Sequence, residues 1–498
     1  MDGAIWVLLV ALMLYATSLL MHRAIDGHWA PARLPVTWFY GSWLIGLTLL
    51  ALPLFKYYEA FSAETAAYLL LMLFVFSAGA AAAAFWAARV RGRRQRQAAA
   101  QALASEGEVS QRLLLALLAM GIVGTGLLLL NTVLGGSLSL ADRLDSDNFA
   151  AVRLEHMLEV ESHIGLLFGP AGLMSAIGSL GVAFVFYLRG SRAIAVGESK
   201  WIYVLAWLVL AFNLATGFIG FGSRMFAVFG FLVAFFAFAE GRWAIGERLI
   251  AKRLKPKEFV VIALATITTL AALWVSATVF LEFRVQRQDP LRLMFKTHRA
   301  SLDPLAYDLV RNDKTSQYLL LSLSYLSTPI PTLAFYLDLP QARQPGPFYG
   351  EYDFPAIWRW GRRLTFSADP YSWPKARYEI FKPLGDIGFG MNVWSTLVRD
   401  LIADFGKAGA LVFVAGLGFL SQRVFDLQRQ SPSARRAGLL VYLRLLLAFA
   451  GLISILFMSQ IHWPLYLAIA LVAVSGSKRR TKPLAASLSR NAAAFHSS

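Results

Sequence analysis

The sequence predicts an all-α polytopic membrane protein, and three observations predict it. Of 498 residues, 57% are apolar and only 15% are charged, against about 25% charged in an ordinary soluble domain. The apolar residues fall into runs of roughly 20, the length a helix needs to cross a bilayer. The 47 Lys and Arg residues, against 30 Asp and Glu, cluster in short segments between those runs, where they set orientation in a membrane. Disordered, collagen-like, coiled-coil and cytosolic-enzyme classes are thereby excluded. The net charge of +17 is absorbed by these segments and by anionic lipid headgroups, so nucleic acid is not an expected partner.

In chain order, spans are expected at Gly3–Met21, Pro35–Phe55, Ala63–Ala88, Leu113–Leu134, Ser162–Leu188, Trp201–Ile219, Met225–Ala239, Phe259–Leu281, Ala408–Leu420, Ala437–Met458 and Trp463–Val474. That is about eleven, all helical, since no alternating period-2 pattern suggests a barrel. Gly3–Met21 lacks a positive leading region and a small-residue cleavage site, so it reads as a retained span. Basic blocks at 89–96, 189–200, 242–257, 423–436 and 478–482 each follow an odd-numbered span. All five can lie on the cytoplasmic side together, with the N-terminus outside and the C-terminus inside.

The expected organisation is therefore residues 1–281 with eight spans, 282–395 as one large external loop, 396–477 with three spans, and 478–498 as a cytoplasmic tail. A smaller external segment, Gly135–Glu161, is net acidic. Within the large loop, the apolar stretch Thr315–Leu337 is broken by Thr328-Pro329-Ile330-Pro331. It reads as a re-entrant or interfacial helix pair, because a twelfth span would reverse the last two basic blocks.

Cysteine is absent, which excludes disulfides, thiolate catalysis and Cys-based metal sites. The seven His residues show no metal-ligand spacing, and no metal is expected. Chemistry is expected on the external face. Arg224 closes Gly220-Phe221-Gly222-Ser223-Arg224, where Ser223 can cap the next helix and free amides and a guanidinium fork can hold an anion such as a diphosphate. The large loop holds 14 basic and 11 acidic residues. Of these, Arg284 and Arg287 near the membrane, and the cluster around Arg377 and Lys382, are the better anion candidates. Between Arg343 and Trp394 there are 13 aromatic residues in 52, which suit either a membrane-interface belt or packing against sugar rings. Carboxylates of Gly135–Glu161, His163 and His462 are possible general bases, while Arg444 reads as an intramembrane residue that snorkels.

The segment Gly385-Asp386-Ile387-Gly388-Phe389-Gly390-Met391-Asn392-Val393-Trp394-Ser395-Thr396, followed by Asp404-Phe405-Gly406-Lys407-Ala408-Gly409, resembles the Wzy-type oligosaccharide repeat-unit polymerases. The turn at 222–224 is similar to one in that family and in O-antigen ligases, and Tyr318–Asp338 looks like the family's helical stretch in the large loop. The resemblance covers roughly residues 200–425 and the overall topology. It implies a GT-C-like glycosyltransferase of the bacterial inner membrane, working without nucleotide sugar, metal or other cofactor. Such an enzyme joins undecaprenyl-diphosphate-linked oligosaccharides at the periplasmic face, in the company of membrane lipids and of a chain-length regulator protein.

On this reading the candidate catalytic residues are Arg224, Arg377, Lys382 and Asp386. The candidate substrate-binding residues are Arg284, Arg287, Arg143, Arg153, Tyr378, Asn392, Arg363 and His462. No single acidic residue carries over as the base. Two other readings stand beside it. One is an O-antigen ligase, for which the large loop offers one histidine, His298. The other is a lipid-linked sugar flippase, which the scarcity of intramembrane charges disfavours.

Overall fold

The computed structural model describes residues 2–26, 31–57, 62–94, 109–135, 168–191, 200–217, 225–244, 289–339, 346–354, 395–456 and 461–474, with a few single positions between. Among the described residues the structure is helical apart from one short strand pair. Helices α1 (Asp2–Asp26), α2 (Pro35–Ala51), α3 (Ala63–Arg94), α4 (Gln111–Gly135), α5 (Phe168–Gly190), α6 (Lys200–Ala215) and α7 (Met225–Ala244) form the first part. Four short helices follow: α8 (Pro290–His298), α9 (Pro304–Val310), α10 (Lys314–Ser327) and α11 (Pro329–Asp338). The chain then runs through α12 (Leu397–Gln430), α13 (Ala434–Phe449) and α14 (Ile461–Val474).

Among the described residues five helices are long and apolar enough to cross a membrane, within α1, α3, α4, α5 and α12, and a sixth crossing arises if α10 and α11 count as one bent element. Helices α2, α6 and α14 are apolar but shorter. This is the architecture of a multi-pass helical membrane protein. The expected span Phe259–Leu281 lies outside the described residues. The interior is filled by aromatic and aliphatic side chains, among them Phe39 and Phe76, stacked 3.9 Å apart. Trp6, Met13, Phe235 and Val412 instead point outward, each more than 60% exposed. Apolar surface of that kind is at home against lipid tails.

Close helix contact depends on small residues. A Cβ at Gly178 of α5 would lie 2.2 Å from the Gly121 Cα of α4, and one at Gly79 of α3 would lie 2.1 Å from the Ala415 carbonyl oxygen of α12. Backbone meets backbone at both crossings, so even alanine forces the helices apart.

The α10–α11 pair bends by 41° at Thr328-Pro329. Each proline disrupts the ladder before it. The second half is not peripheral: Ile330, Leu333 and Tyr336 are buried in the main core, and Ile330 reaches Gly46 of α2. Below it, Phe55, Met294, Ala300, Val310, Tyr318 and Leu321 form a satellite core. There β1 (Phe55–Tyr57) pairs antiparallel with β2 (Ala300–Leu302). Asp289, Asp303 and Asp313 cap α8, α9 and α10, and a proline opens each of the first two. His298 is enclosed here, with Nδ1 2.6 Å from the Ser324 hydroxyl.

The tie points fall at two ends of the bundle. At one end β1 meets β2, Lys407 meets Glu64, and the start of α12 meets the end of α13. At the other, Arg33, Glu240 and Arg444 meet, and Gln428 donates to the Tyr187 hydroxyl. The basic residues Arg89, Arg189, Arg242, Arg429 and Arg436 belong to helix ends of this second group.

Candidate functional site

The site is built at the start of α12. Thr396 caps that helix, its hydroxyl accepting from the Arg399 N–H at 3.1 Å. Nearly three turns on, Gly406 adopts φ 73°, ψ 171°, a conformation essentially restricted to glycine, and the helix breaks. The carbonyls one turn before the break accept from outside the helix. Ala403 O takes the Phe348 N–H at 3.1 Å and Asp404 O takes the Tyr349 N–H at 2.7 Å. The Asp404 carboxylate adds the N–H groups of Tyr352 at 3.1 Å and Asp353 at 2.8 Å. Segment 346–354 of the large loop is thus pinned by four hydrogen bonds. Its close approach needs Gly346, where a Cβ would sit 2.1 Å from the Ala403 oxygen.

Docking brings Asp353 against Asp400 and Asp404, all three fully buried. A guanidinium pairs with one of them: Arg399, also buried, donates to Asp400 Oδ1 through Nε at 3.3 Å and Nη2 at 3.1 Å. Ser395 donates to Asp400 Oδ2 at 3.1 Å. Ser454 lies beside both Asp353 and Asp400, held there by its N–H donating to the Ser395 carbonyl at 2.6 Å. Tyr336 of α11 comes close to Arg399, Asp400 and Asp404. Burial lifts the Asp353 carboxyl well above the ordinary carboxylate range, and the neighbouring Asp400 and Asp404 push the same way. Three carboxyls around one guanidinium, out of water, cannot all be ionised. Burial and mutual repulsion thus favour the protonated form of Asp353.

Just past the break, Lys407 donates to Glu64 at 2.8 Å and to the Leu337 carbonyl at 3.0 Å, while the Tyr68 hydroxyl donates to the Lys407 carbonyl at 2.8 Å. These bonds fix α12 to α3 and to the end of α11. Among the described residues no group of three or more His, Cys, Asp and Glu side chains is arranged to hold a metal ion.

Of the residues selected from sequence, His462 is placed beside Tyr466, a neighbour of the cluster. It is buried, its ring lies 5.7 Å from that of Tyr466, and Tyr466 in turn faces Asp353. Lys382 and Asp386 are exposed, and no contact among the described residues joins them to the cluster. Arg224, Arg377, Arg284, Arg287, Arg143, Arg153, Tyr378, Asn392 and Arg363 lie outside the described residues. Asp353, Asp400 and Arg399 were not singled out, and Asp404 was quoted in the motif without a role. A signal was there: Asp400 and Asp404 stand four apart on one helical face beside an apolar run, and ionisable residues at the edge of a span are costly enough to mark function.

Fold and site together define a multi-pass helical membrane protein carrying a buried acidic cluster at one end, closed by a loop segment. Compared with known protein families, with curated proteins and with solved structures, the chain shows no match to any of them.

Proposed function

We propose that the chain is a polysaccharide polymerase of the Wzy type, a metal-independent glycosyltransferase of the bacterial inner membrane that joins undecaprenyl-diphosphate-linked repeat units. One observation carries the reading. Thr396, Asp404 and Gly406, which belong to the motif that resembles this family, are the residues that cap α12, seat loop segment 346–354 and gather the buried carboxyls. The acidic end is then periplasmic. The Arg33 end, with its basic helix termini, is cytoplasmic, in keeping with the charge bias of membrane proteins.

In the reaction, the acceptor hydroxyl oxygen bonds to the anomeric carbon of the donor glycan as the bond from that carbon to the diphosphate oxygen breaks. Arg224, Arg377 and Lys382 stabilise the departing diphosphate. Asp404 takes the hydroxyl proton. Tyr352 and Asp353 cover Asp404, so the acceptor reaches it when segment 346–354 lifts.

Purified protein given lipid-linked repeat units should produce a ladder of products differing by one repeat. Arg224→Lys should lose much of the activity, because an ammonium lacks the planar fork, and Arg224→Ala nearly all. Transfer only to lipid A-core would identify a ligase, and movement of the lipid across the bilayer without transfer would identify a flippase. Either outcome overturns the polymerase reading.

A further inference from the structure

At the end of the bundle opposite the carboxyl cluster, Glu240 of α7 is buried and its Oε1 lies 2.5 Å from Nη1 of Arg444 on α13. Arg444 is fully buried, and its Nη2 donates to the Arg33 carbonyl at 3.1 Å. Arg33 comes second to the same carboxylate. Its Nη2 stands 3.9 Å from Glu240 Oε2, beyond hydrogen-bond range, and its Nε is buried without a hydrogen-bond partner among the described residues. The two guanidinium carbons lie 5.1 and 5.2 Å from the centre of the Trp243 ring, and Arg33 also stands 5.7 Å from the Phe425 ring, which Arg429 approaches from its own side at 5.7 Å. Burial lowers the Arg33 pKa, Glu240 opposes that, and Arg444 and Arg429 add to it. Asp426, next along α12, takes the Gln422 side chain.

Arg33 is thus a cation whose counter-charge is already claimed by another arginine, yet its side chain keeps 20% of its surface open. Immediately beyond it α2 begins, and Trp38 of α2 packs edge-on against Phe236 of α7, with Phe235 beside it 63% exposed on the outer surface. A half-satisfied guanidinium at the end of the bundle stands above an outward-facing aromatic surface.

We propose that Arg33 anchors a binding site for one anionic phospholipid at this end of the bundle. The lipid phosphate pairs with the open edge of the guanidinium, and the acyl chains lie on the Trp38–Phe235 surface. Arg429 and Arg444 strengthen the field that draws the phosphate in, and a bidentate guanidinium–phosphate contact suits the fork.

The test is native mass spectrometry of detergent-purified protein titrated with phosphatidylglycerol or phosphatidylcholine. The wild type should retain one phosphatidylglycerol at least about tenfold more tightly than phosphatidylcholine. Arg33→Gln should abolish that preference, and Arg33→Lys should keep part of it. Arg112→Gln, which removes an exposed charge from the start of α4, should leave it unchanged. Size-exclusion and thermal melting check that each variant is folded; the Arg444–Glu240 pair remains in all of them, and Arg33→Lys carries the comparison if Arg33→Gln does not fold. Full retention by Arg33→Gln overturns the proposal. So does an equal loss in Arg112→Gln, which would make the preference a general surface-charge effect. Displacement of the lipid by millimolar inorganic phosphate would assign the site to a soluble anion and overturn the lipid assignment.

Discussion

At one end of the bundle three carboxyls, Asp353, Asp400 and Asp404, crowd one guanidinium. At the other, Arg33 and Arg444 share one carboxylate, Glu240, with Arg429 near them. Both ends remove charge from water, but they compensate it differently. At the acidic end backbone amides do much of the work, because the break at Gly406 and the docked loop aim N–H groups at Asp404. What remains uncompensated there favours protonation of Asp353. At the basic end the compensation is side chain to side chain across two helices, and arginine cannot shed its charge. An excess of carboxyls makes a buried centre whose charge depends on protonation, held by a docked loop, whereas an excess of arginine makes a fixed positive field.

The largest effect is expected at the fixed end. Arg444→Ala leaves the buried Glu240 with only Arg33, 3.9 Å away and beyond hydrogen-bond range, and should destabilise the protein by about 3–5 kcal/mol, read as a fall in melting temperature in detergent. Replacing both partners, Arg444→Met with Glu240→Leu, should recover most of that loss. A double variant as unstable as the single one would mean that the pair is not an isolated charge compensation.

Gly406→Ala comes next. No atom lies within 4 Å of a Cβ there, so the cost is backbone strain alone, about 1–3 kcal/mol. Segment 346–354 should also undock, exposing new protease sites near Tyr349. A variant with normal stability and protease resistance would show that the break does not depend on glycine.

The smallest effect separates the two ends by pH. The Asp353 carboxyl is raised in the folded state, so the unfolded chain binds fewer protons once pH exceeds the ordinary carboxylate range, and the wild type loses stability as pH rises toward the raised value. Asp353→Asn lacks that loss. Its melting temperature should match the wild type near pH 4 and exceed it increasingly toward neutrality, by a few degrees. A constant offset across pH would remove Asp353 from the proton-holding group.

Much of the architecture was legible from hydropathy alone. Expected spans at Gly3–Met21, Ala63–Ala88 and Leu113–Leu134 fall inside α1, α3 and α4, and Thr315–Leu337 is the bent pair α10–α11. These follow from local length and composition. The ninth span, expected at Ala408–Leu420, falls inside α12 past the break at Gly406, whereas the helical turns before the break, from Leu397, were hidden by two aspartates and an arginine. Arg444, read as snorkelling to an interface, is fully buried and paired with Glu240. Snorkelling presumes no partner, and the partner lies on a helix far away in sequence. The β1–β2 pairing and the Tyr57–Ser327 hydrogen bond, 270 positions apart, leave no periodic trace. Asp353 sits in a loop, and its role arises only when that loop meets α12.

The account rests most heavily on Asp404, which joins the motif, the loop and the carboxyl cluster. Ladder formation from purified lipid-linked repeat units by Asp404→Asn, at matched expression and unchanged melting behaviour, tests it most directly. The account predicts a wild-type ladder of many repeats and at least about a hundredfold less product from the variant, the scale of a lost general base. A variant ladder equal to that of the wild type, or a wild type that forms no ladder, would contradict it.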